Sequence, residues 1–292
     1  EAAKGDPSIF AIPFYILFII IEVILSAKQH LNLYTKKDSF ASVSMGIGSV
    51  IIGILTKTTF FLLFTFIYQF RLFDFSMDWI MWIVLFFADD FSFYWHHRLS
   101  HQVRILWAAH IHHHSSQHFN FTTALRQSWG EPFYKFFFWA WLPLIGFSPI
   151  SILVMHSISL VYQFFQHTET VKTLKVFGYF FNTPSHHRVH HATQVKYLDK
   201  NHAGILIIWD RMFGTFEHED LENHPIYGLT TNIETYNPLE IATHELKNIW
   251  IDVKSTSSLK NKLKYIFYPP GWRHDGELMT SKYLQNKMKT KF

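Results

Sequence analysis

Four long apolar stretches constrain the fold of this 292-residue chain more than any other feature of its sequence. A transmembrane helix needs about 20 predominantly apolar residues, and each stretch reaches or approaches that length. The stretches are residues 9–27, 41–70, 78–95 and 133–166. Because hydrocarbon offers no hydrogen-bond partners, segments of this length cross it as helices. The sequence therefore predicts an all-α integral membrane protein.

The last stretch is too long for one crossing. Pro143, Gly146 and Pro149 divide residues 133–166, which predicts the two limbs of a helical hairpin. The third stretch and this hairpin then deliver the histidines that follow them to the same face of the membrane. We therefore expect about five membrane segments and a cytosolic, histidine-rich helical cap.

Three lysines in residues 28–39 predict how the segments are oriented in the membrane. By the positive-inside rule that loop is cytoplasmic, which makes residues 41–70 a single span. A hairpin within residues 41–70 is the alternative, and it would place these lysines outside. The expected division is a transmembrane region of residues 1–166, carrying the first two histidine clusters, and a cytosolic cap of residues 167–292 that completes the site.

Composition narrows the available chemistry. Hydrophobic residues make up 49% of the chain and charged residues only 16%, below the roughly 25% of soluble domains. The net charge of +4 comes without a basic stripe, so the sequence does not predict a nucleic-acid partner, and we attribute the basic excess to anionic lipid headgroups. The chain has no cysteine, so any metal must be held by nitrogen and oxygen ligands.

Nine of the 20 histidines stand at metal-ligand spacing. Residues four apart, or three and four apart, share one face of a helix, so their imidazoles can reach one centre. One cluster has the spacing HxxxH, two have the spacing HxxHH, and one histidine follows the hairpin alone. Nine imidazoles exceed the four to six sites of one ion, which predicts two metal ions, and imidazole alone does not choose between Fe, Zn, Cu and Ni. The predicted ligands are His97, His101, His110, His113, His114, His167, His187, His190 and His191.

The remaining histidines carry weaker expectations. His96 is expected to point away from its neighbour in the first cluster. His112 and His118 fall off the ligand face of the second cluster, and His156 lies inside a membrane segment, where a polar helix contact is as plausible as a function. Six scattered histidines are expected to be ordinary surface residues: His30, His202, His218, His224, His244 and His274.

Polar residues near the clusters are candidates for supporting the ligands. A ligating histidine usually donates its second ring N–H to a carboxylate or carbonyl group. Asp90 precedes His97 by two helical turns, and the other candidates follow later clusters. The supporting candidates are Asp90, Glu169, Asp199 and Asn201, and the possible extra ligands are His186 and Gln163.

Several of these motifs resemble the fatty acid hydroxylase/sterol desaturase superfamily. The resemblance runs from about Trp82 to Trp272 and includes Tyr94-Trp95-His96-His97-Arg98 and Trp107-Ala108-Ala109-His110. The stretch Asn182-Thr183-Pro184-Ser185-His186-His187-Arg188-Val189-His190-His191 and the later Ile208-Trp209-Asp210-Arg211-Met212-Phe213-Gly214 are similar to the alkylglycerol monooxygenase branch. Many members have HxxxH where this chain has Gln163, which puts one ligand in doubt.

The resemblance implies a non-haem di-iron centre, O2 as oxidant, and a lipid substrate that comes from the membrane. Zinc can replace iron in purified protein, since Zn2+ stands above Fe2+ in the affinity order. In the alkylglycerol branch the reductant is tetrahydrobiopterin and an ether-linked carbon is hydroxylated. Trp209 and Trp272 are candidates for stacking on a pterin, with Glu169 or Asp210 accepting its N–H groups. A ferredoxin-type donor would instead use a basic cap surface such as Lys172, Lys175 and Lys196.

The histidine pattern leaves other functions open. A desaturase, or a hydroxylase of a fatty acyl chain, sterol, carotenoid or aminolipid, would share the same centre. A membrane metal transporter is the remote alternative, but it predicts histidine and acidic residues deep in several spans. The sequence favours the lipid monooxygenase, and it does not predict an oligomeric state.

Overall fold

The computed structural model describes residues 7–76 and 78–290, with side chains from residue 10 onward. Within this part the chain is helical and forms no β-strand, only two isolated bridges. The helices are α1 (Pro7–Lys28), α2 (Lys36–Tyr68), α3 (Trp79–Gln102), α4 (Arg104–His114), α5 (Trp141–Ile145), α6 (Pro149–Phe164), α7 (Pro184–His190), α8 (Ile208–Met212), α9 (Pro238–Lys254), α10 (Leu259–Phe267) and α11 (Ser281–Lys289).

Two of the described helices, α1 and α2, are long and apolar enough to cross a membrane. α2 continues without a break for 33 residues, so a hairpin within residues 41–70 is not formed and the single-helix prediction is confirmed. At 1.5 Å per residue, α2 is about 50 Å long, which exceeds the roughly 30 Å hydrocarbon core of a bilayer. Residues 29–35 connect α1 to α2, and α1 packs against α6, where Tyr15 stacks on Phe164.

The predicted hairpin of residues 133–166 has a different first limb from the one expected. It consists of a 3-10 turn at Lys135–Trp139 followed by the short α5, because the proline within α5 lacks the N–H that a longer helix requires. The reversal occurs at Gly146, which has a φ of +133°. A Cβ at this position would lie 2.2 Å from the carbonyl oxygen of Phe73, so only glycine fits. The second limb, α6, forms as a regular helix of 16 residues.

The segments run alternately between two ends of the molecule. At one end, the chain between α2 and α3 meets the hairpin tip, where the backbone of Leu72 donates to Leu144. At the other end, Asn120 donates through Nδ2 to the carbonyl oxygen of Leu33, at 2.6 Å, in the connection between α1 and α2. The lysine-rich loop of residues 28–39 and the ends of α3 and α6 that precede the histidines therefore lie together.

The helices enclose an aromatic core and expose an apolar exterior. Phe60 and Phe64 of α2, Leu85 of α3 and Ile152 of α6 pack around the buried Trp139. Large apolar side chains on the outer faces remain exposed. They include Phe14, Leu17, Val50, Ile54, Leu55, Ile83, Val84, Phe137 and Ile158. Such a continuous apolar surface is typical of contact with lipid.

The C-terminal part of the chain covers the end where the histidines gather. Ile241 and Ala242 of α9 pack on Ala41 and Met45 near the start of α2. Arg104, the first residue of α4, is paired with two carboxylates of α9, those of Glu245 and Asp252. These contacts fix α4, and with it three of the predicted ligands, between the helical bundle and the cap.

One strand-like segment of the cap descends along α3. Asp90 accepts hydrogen bonds from the amides of Ile205 (2.7 Å) and Leu206 (2.9 Å) and from the indole of Trp209 (2.9 Å). Gly204 permits this close approach, because a Cβ there would lie 2.8 Å from Oδ1 of Asp90. The cap is thus anchored well below the end of α3.

Candidate metal centre

Four elements deliver the nine predicted ligands to one place. The last two turns of α3 carry His97 and His101, and α4 carries the second cluster on one face. The second HxxHH cluster begins on α7 and ends at His191, which caps that helix. His167 lies just beyond the end of α6. Each pair spaced by three or four residues shares a helix face, as the spacing predicts.

The nine imidazoles divide into two adjacent groups. In each group, one ring nitrogen per residue lies within 4.8 Å of the corresponding nitrogens of the others. Eight of the nine side chains are buried and His113 is partly buried. The five-histidine group is His97, His101, His110, His114 and His190, and the four-histidine group is His113, His167, His187 and His191.

The two groups share the same helices and touch each other. α4 and the α7 cluster each contribute to both groups. The ring of His114 stacks on that of His191, with centroids 4.3 Å apart and planes inclined by 21°. His113 lies 4.6 Å from His191 between ring centroids. Two ions held by these groups would therefore be neighbours across a shared wall of imidazoles.

Opposed lone pairs distinguish the five-histidine group from a hydrogen-bonded cluster. His97 donates from Nδ1 to the carbonyl oxygen of His202 (2.8 Å), and His110 directs Nδ1 at Oε1 of Glu131 (2.5 Å). Because an acceptor faces each Nδ1 atom, we assign the ring proton of each neutral imidazole to Nδ1. The Nε2 atoms of His97 and His110 then both carry lone pairs, and these two atoms face each other at 3.1 Å. Two facing lone pairs repel unless a cation lies between them. Two ligands at right angles on one ion with bonds of ~2.1 Å would be about 3.0 Å apart, so the residues fit a metal.

The same arrangement recurs around the group. His190 uses Nδ1 for the carbonyl oxygen of Lys200, at 2.9 Å, and its buried Nε2 has no hydrogen-bond partner. In the four-histidine group, His167 uses Nδ1 for the carbonyl oxygen of Gln163, and its Nε2 lies 3.1 Å from that of His113 and 2.9 Å from that of His187. Backbone acceptors thus turn the ligand nitrogens inward, as in other histidine metal sites.

Burial keeps these imidazoles in the form that binds metal. Burial lowers the pKa of His167 to about 4. Burial and then the neighbouring imidazoles lower the pKa values of His114 and His191 well below the usual range. These three side chains are therefore neutral near pH 7, with lone pairs available to an ion.

Part of the chain matches a known family. Residues 82–215 match the family model for fatty acid hydroxylase. All nine histidines of the two groups lie within these residues.

Curated relatives named alkylglycerol monooxygenase are similar along most of the chain. The protein from Homo sapiens is 38% identical over 270 residues, which cover 90% of this chain and 59% of the relative. The protein from Xenopus tropicalis is 37% identical over 263 residues (89% and 58%), and that from Caenorhabditis elegans is 36% identical over 277 residues (89% and 52%). The chain thus spans between half and three fifths of the length of these relatives. No solved structure matches it.

One carboxylate near the ligands was missed by the sequence reasoning. Burial alone would raise the pKa of Glu131, but the attraction of the adjacent His110 imidazole and the hydrogen bond from its Nδ1 hold that pKa well below its usual range. Glu131 is the only acidic residue between Asp90 and Glu169, in a segment dominated by aromatic residues. That isolation was the signal in the sequence that could have identified Glu131, because a single carboxylate beside an apolar run needs a partner if it is buried.

Of the residues proposed from the sequence to support the ligands, some lie beside an imidazole and others do not. Asp199 lies 3.5 Å from Nδ1 of His101, so its carboxylate does face a member of the five-histidine group. Asp90 instead holds the cap segment, as described above. Asn201 donates to the carbonyl oxygens of His186 (3.1 Å) and Glu217 (2.8 Å), which organises the backbone rather than an imidazole.

The remaining candidates also lie outside the two groups. The side chain of Gln163 donates to Ser159, and only its backbone oxygen reaches His167. The ring of His186 packs 5.5 Å from that of Phe216, away from the ligands. Glu169 lies beside Tyr227 and Arg188, and burial raises its pKa to about 7.

His202 corrects the sequence prediction. It was expected at the surface, yet its ring is fully buried, 5.1 Å from that of His101, and its carbonyl oxygen orients His97. With His101 and Asp199 it forms a third set of close ligand atoms. The cap segment folds back against α3, and this long-range contact gives no local spacing signal in the sequence.

The other histidines follow the expectations more closely. His30, His218, His224 and His274 are exposed as predicted, and His244 is partly buried against its own helix. His96 points away from the ligands and packs among Tyr134, Phe138 and Trp139. The three remaining rings, His112, His118 and His156, also lie outside the two groups.

Proposed function

We propose that this chain is the catalytic part of a membrane-bound monooxygenase that uses O2 to hydroxylate an alkylglycerol lipid at its ether-linked carbon. The observation that carries the proposal is the pair of adjacent histidine groups, in which inward-facing lone pairs call for two cations. The substrate class comes from the names of the relatives, which share 36–38% identity with this chain. The two ions in the active enzyme are proposed to be iron, with the nine histidines as ligands.

The chain's own residues prepare the site. Glu131 and the carbonyl oxygens of residues 163, 200 and 202 fix the ring orientations before any ion binds. Fixed ligands leave little reorganisation to be done during the reaction. When bound, the irons supply the oxidising chemistry with O2, and the protein supplies position and shielding.

Apolar walls beside the ligands suit an alkyl chain. Phe93 lies 5.3 Å from the ring of His97, and Phe119 stacks on His167 at 5.6 Å. Further aromatic side chains surround the bundle near the site, including Phe91, Tyr94, Trp95, Phe164 and Phe165. Exclusion of water by these walls prevents side reactions of the oxidant.

Hydroxylation by O2 places one oxygen atom in the product and the other in water, which requires two electrons and two protons from a donor. A reduced pterin is the proposed donor, and a ferredoxin-type protein is the alternative. Of the two tryptophans considered for stacking on a pterin, Trp209 donates a hydrogen bond to Asp90 and Trp272 packs against Tyr265. Lys196 is paired with Asp220, whereas Lys172 and Lys175 are exposed on the cap.

The membrane arrangement belongs to the same proposal. Residues 1–166 would form five alternating membrane segments, and residues 167–292 would form a cytosolic cap that completes the two-ion site. The position of the lysine-rich loop at the histidine end supports this orientation, because basic loops stay in the cytoplasm.

The test is oxidation of a defined lipid by purified protein loaded with iron. Alkylglycerol, O2 and tetrahydrobiopterin should yield a product heavier by one oxygen atom, or its breakdown products, detected by mass spectrometry. Supplying each donor separately decides the reductant. Turnover of a sterol or fatty acyl chain in place of alkylglycerol would contradict the substrate while leaving the oxygenase intact.

A further inference from the structure

The cap carries an apolar surface on the side where it descends along α3. We call this surface the apolar lip and define it as residues 174–181 together with Met212. Val176 is 85% exposed and Met212 is 67% exposed. Further side chains of the lip are exposed, namely Leu174, Phe177, Tyr179 and Phe180. A cap surrounded by water would rarely leave so many adjacent apolar side chains uncovered.

The lip is fixed at the depth of the bundle helices rather than above them. Its Phe180 accepts a backbone hydrogen bond from Ile207, and the neighbouring amides of residues 205 and 206 bind Asp90. Asp90 precedes His97 by seven residues, so it lies about 10 Å farther from the histidine end of α3. Tyr162 of α6 donates to the carbonyl oxygen of Asn182, at 2.6 Å, just after the lip.

The helix surfaces at this depth face outward with apolar side chains. Phe87 on α3 and Ile158 on α6 are exposed. Above them, the partly exposed Trp95 and Arg98, with the guanidinium 5.5 Å from the centre of the indole ring, form an amphipathic belt of the kind that is typical of a membrane interface. The lip therefore continues the lipid-facing surface of α3 and α6 below that belt.

We propose that the apolar lip is immersed in the hydrocarbon of the surrounding leaflet and that lipid reaches the histidine groups across it. The second half of this inference rests on the proposed function, and the first half does not. Lys172 and Lys175, exposed at the start of the lip, suit anionic headgroups above an immersed apolar segment. Arg211 packs over the rings of Tyr179 and Phe216, with its charge on the inner side of the lip.

The lip also packs against α7, the helix that carries ligands of both groups. Its 3-10 turn at Phe177–Tyr179 lies on this helix, where a Cβ on Gly178 would be 3.3 Å from the ring of His186. The ring of His186 faces away from the ligands, but the next residue, His187, belongs to the four-histidine group. A lipid that leaves the leaflet at the lip would therefore meet the helix that carries His187.

Single-cysteine labelling tests the location directly, because the chain contains no cysteine. A spin label on Val176→Cys in iron-loaded protein, reconstituted in phosphatidylcholine and phosphatidylglycerol vesicles, should be relaxed by O2 and shielded from a water-soluble nickel chelate. The matched control is Leu221→Cys, which is 66% exposed in a loop with Glu219, Asp220 and Glu222, and it should show the reverse. Exposure of Val176→Cys to the chelate would place the lip in water and overturn the proposal. Shielding from both reagents would indicate a protein cover and would also overturn it.

Kinetics tests the access route. Val176→Glu should raise the KM for alkylglycerol in vesicles by about tenfold or more, because a charge on the lip opposes the passage of lipid. A tenfold change corresponds to ~1.4 kcal/mol. Its kcat on a short-chain substrate dispersed in detergent should stay unchanged, as should both values for Leu221→Glu. An unchanged KM for Val176→Glu would refute the access route. If wild-type protein oxidises no alkylglycerol while the labelling result holds, the proposed substrate fails and the immersed lip stands.

Discussion

The Nε2 atoms of His97 and His110 lie 3.1 Å apart, while the Nδ1 atom of each ring points at an acceptor on another element. The acceptors, a carbonyl oxygen of the cap and a carboxylate after α4, are fixed by folding. The repulsion between the two lone pairs is therefore built into the fold, and a cation relieves it.

Metal removal should destabilise the protein for this reason. Extraction of the ions with a chelator should lower the midpoint of thermal unfolding in detergent, and readdition of Fe2+ should restore it. A ligand present at 1,000 times its Kd stabilises the folded state by about 4 kcal/mol. Identical unfolding midpoints for samples with two ions and with none would contradict the cation role.

Replacement of a ligand should empty part of the site. His191→Ala should lower the metal content measured by elemental analysis and abolish lipid oxidation, because His191 lies in the four-histidine group against His114. His218→Ala is the control, since His218 is exposed and outside both groups. Full metal content and activity in His191→Ala would exclude it as a ligand.

Glu131 should tune the affinity of the five-histidine group. Glu131→Gln keeps the shape of the side chain but removes the charge that orients His110, and loss of such a partner typically costs 10–100-fold in metal affinity, so we expect about that range. Competition with a chelator of known affinity measures the change. Glu240→Gln, on the exposed side of α9, should bind metal as the wild type does. An equal affinity in both variants would show that Glu131 has no influence on the ions.

Gly204 should be required for the cap to reach α3. Gly204→Ala would place a Cβ 2.8 Å from Oδ1 of Asp90 and 2.9 Å from Phe93, and the cap segment would have to shift. We expect faster proteolysis of the cap and a loss of stability of about 1–3 kcal/mol, typical of overpacking. Gly53→Ala is the matched control, since a Cβ there meets nothing within 4 Å. Equal proteolysis rates would refute the close contact.

Local spacing was sufficient to find the clustered ligands. The HxxxH and HxxHH patterns depend on helix geometry alone, and α3, α4 and α7 form where the patterns predict. The long apolar helices α1 and α2 are equally local, because their length and apolar content are read directly from the sequence. These features needed no knowledge of how distant parts of the chain meet.

Long-range contacts explain what the sequence did not predict. Glu131 and His202 reach the ligands from 21 and 105 positions away, through folding of the hairpin start and the cap. Asp90 precedes His97 by two helical turns, but its carboxylate binds three donors of residues 205–209 in the cap rather than an imidazole. The first limb of the hairpin departs from a long regular helix because Pro143 within α5 lacks the N–H that such a helix requires.

The contact between His97 and the carbonyl oxygen of His202 also sets an order of events during biosynthesis. The two residues are 105 positions apart, so at 5–20 residues per second the ribosome needs about 5 to 20 seconds to reach the second after the first. During that interval α3 and α4 can form, but the imidazole of His97 lacks the acceptor that turns it inward. We therefore expect metal loading to be a late step, because a nascent chain stopped just before residue 202 would carry all nine histidines without the carbonyl group that orients His97.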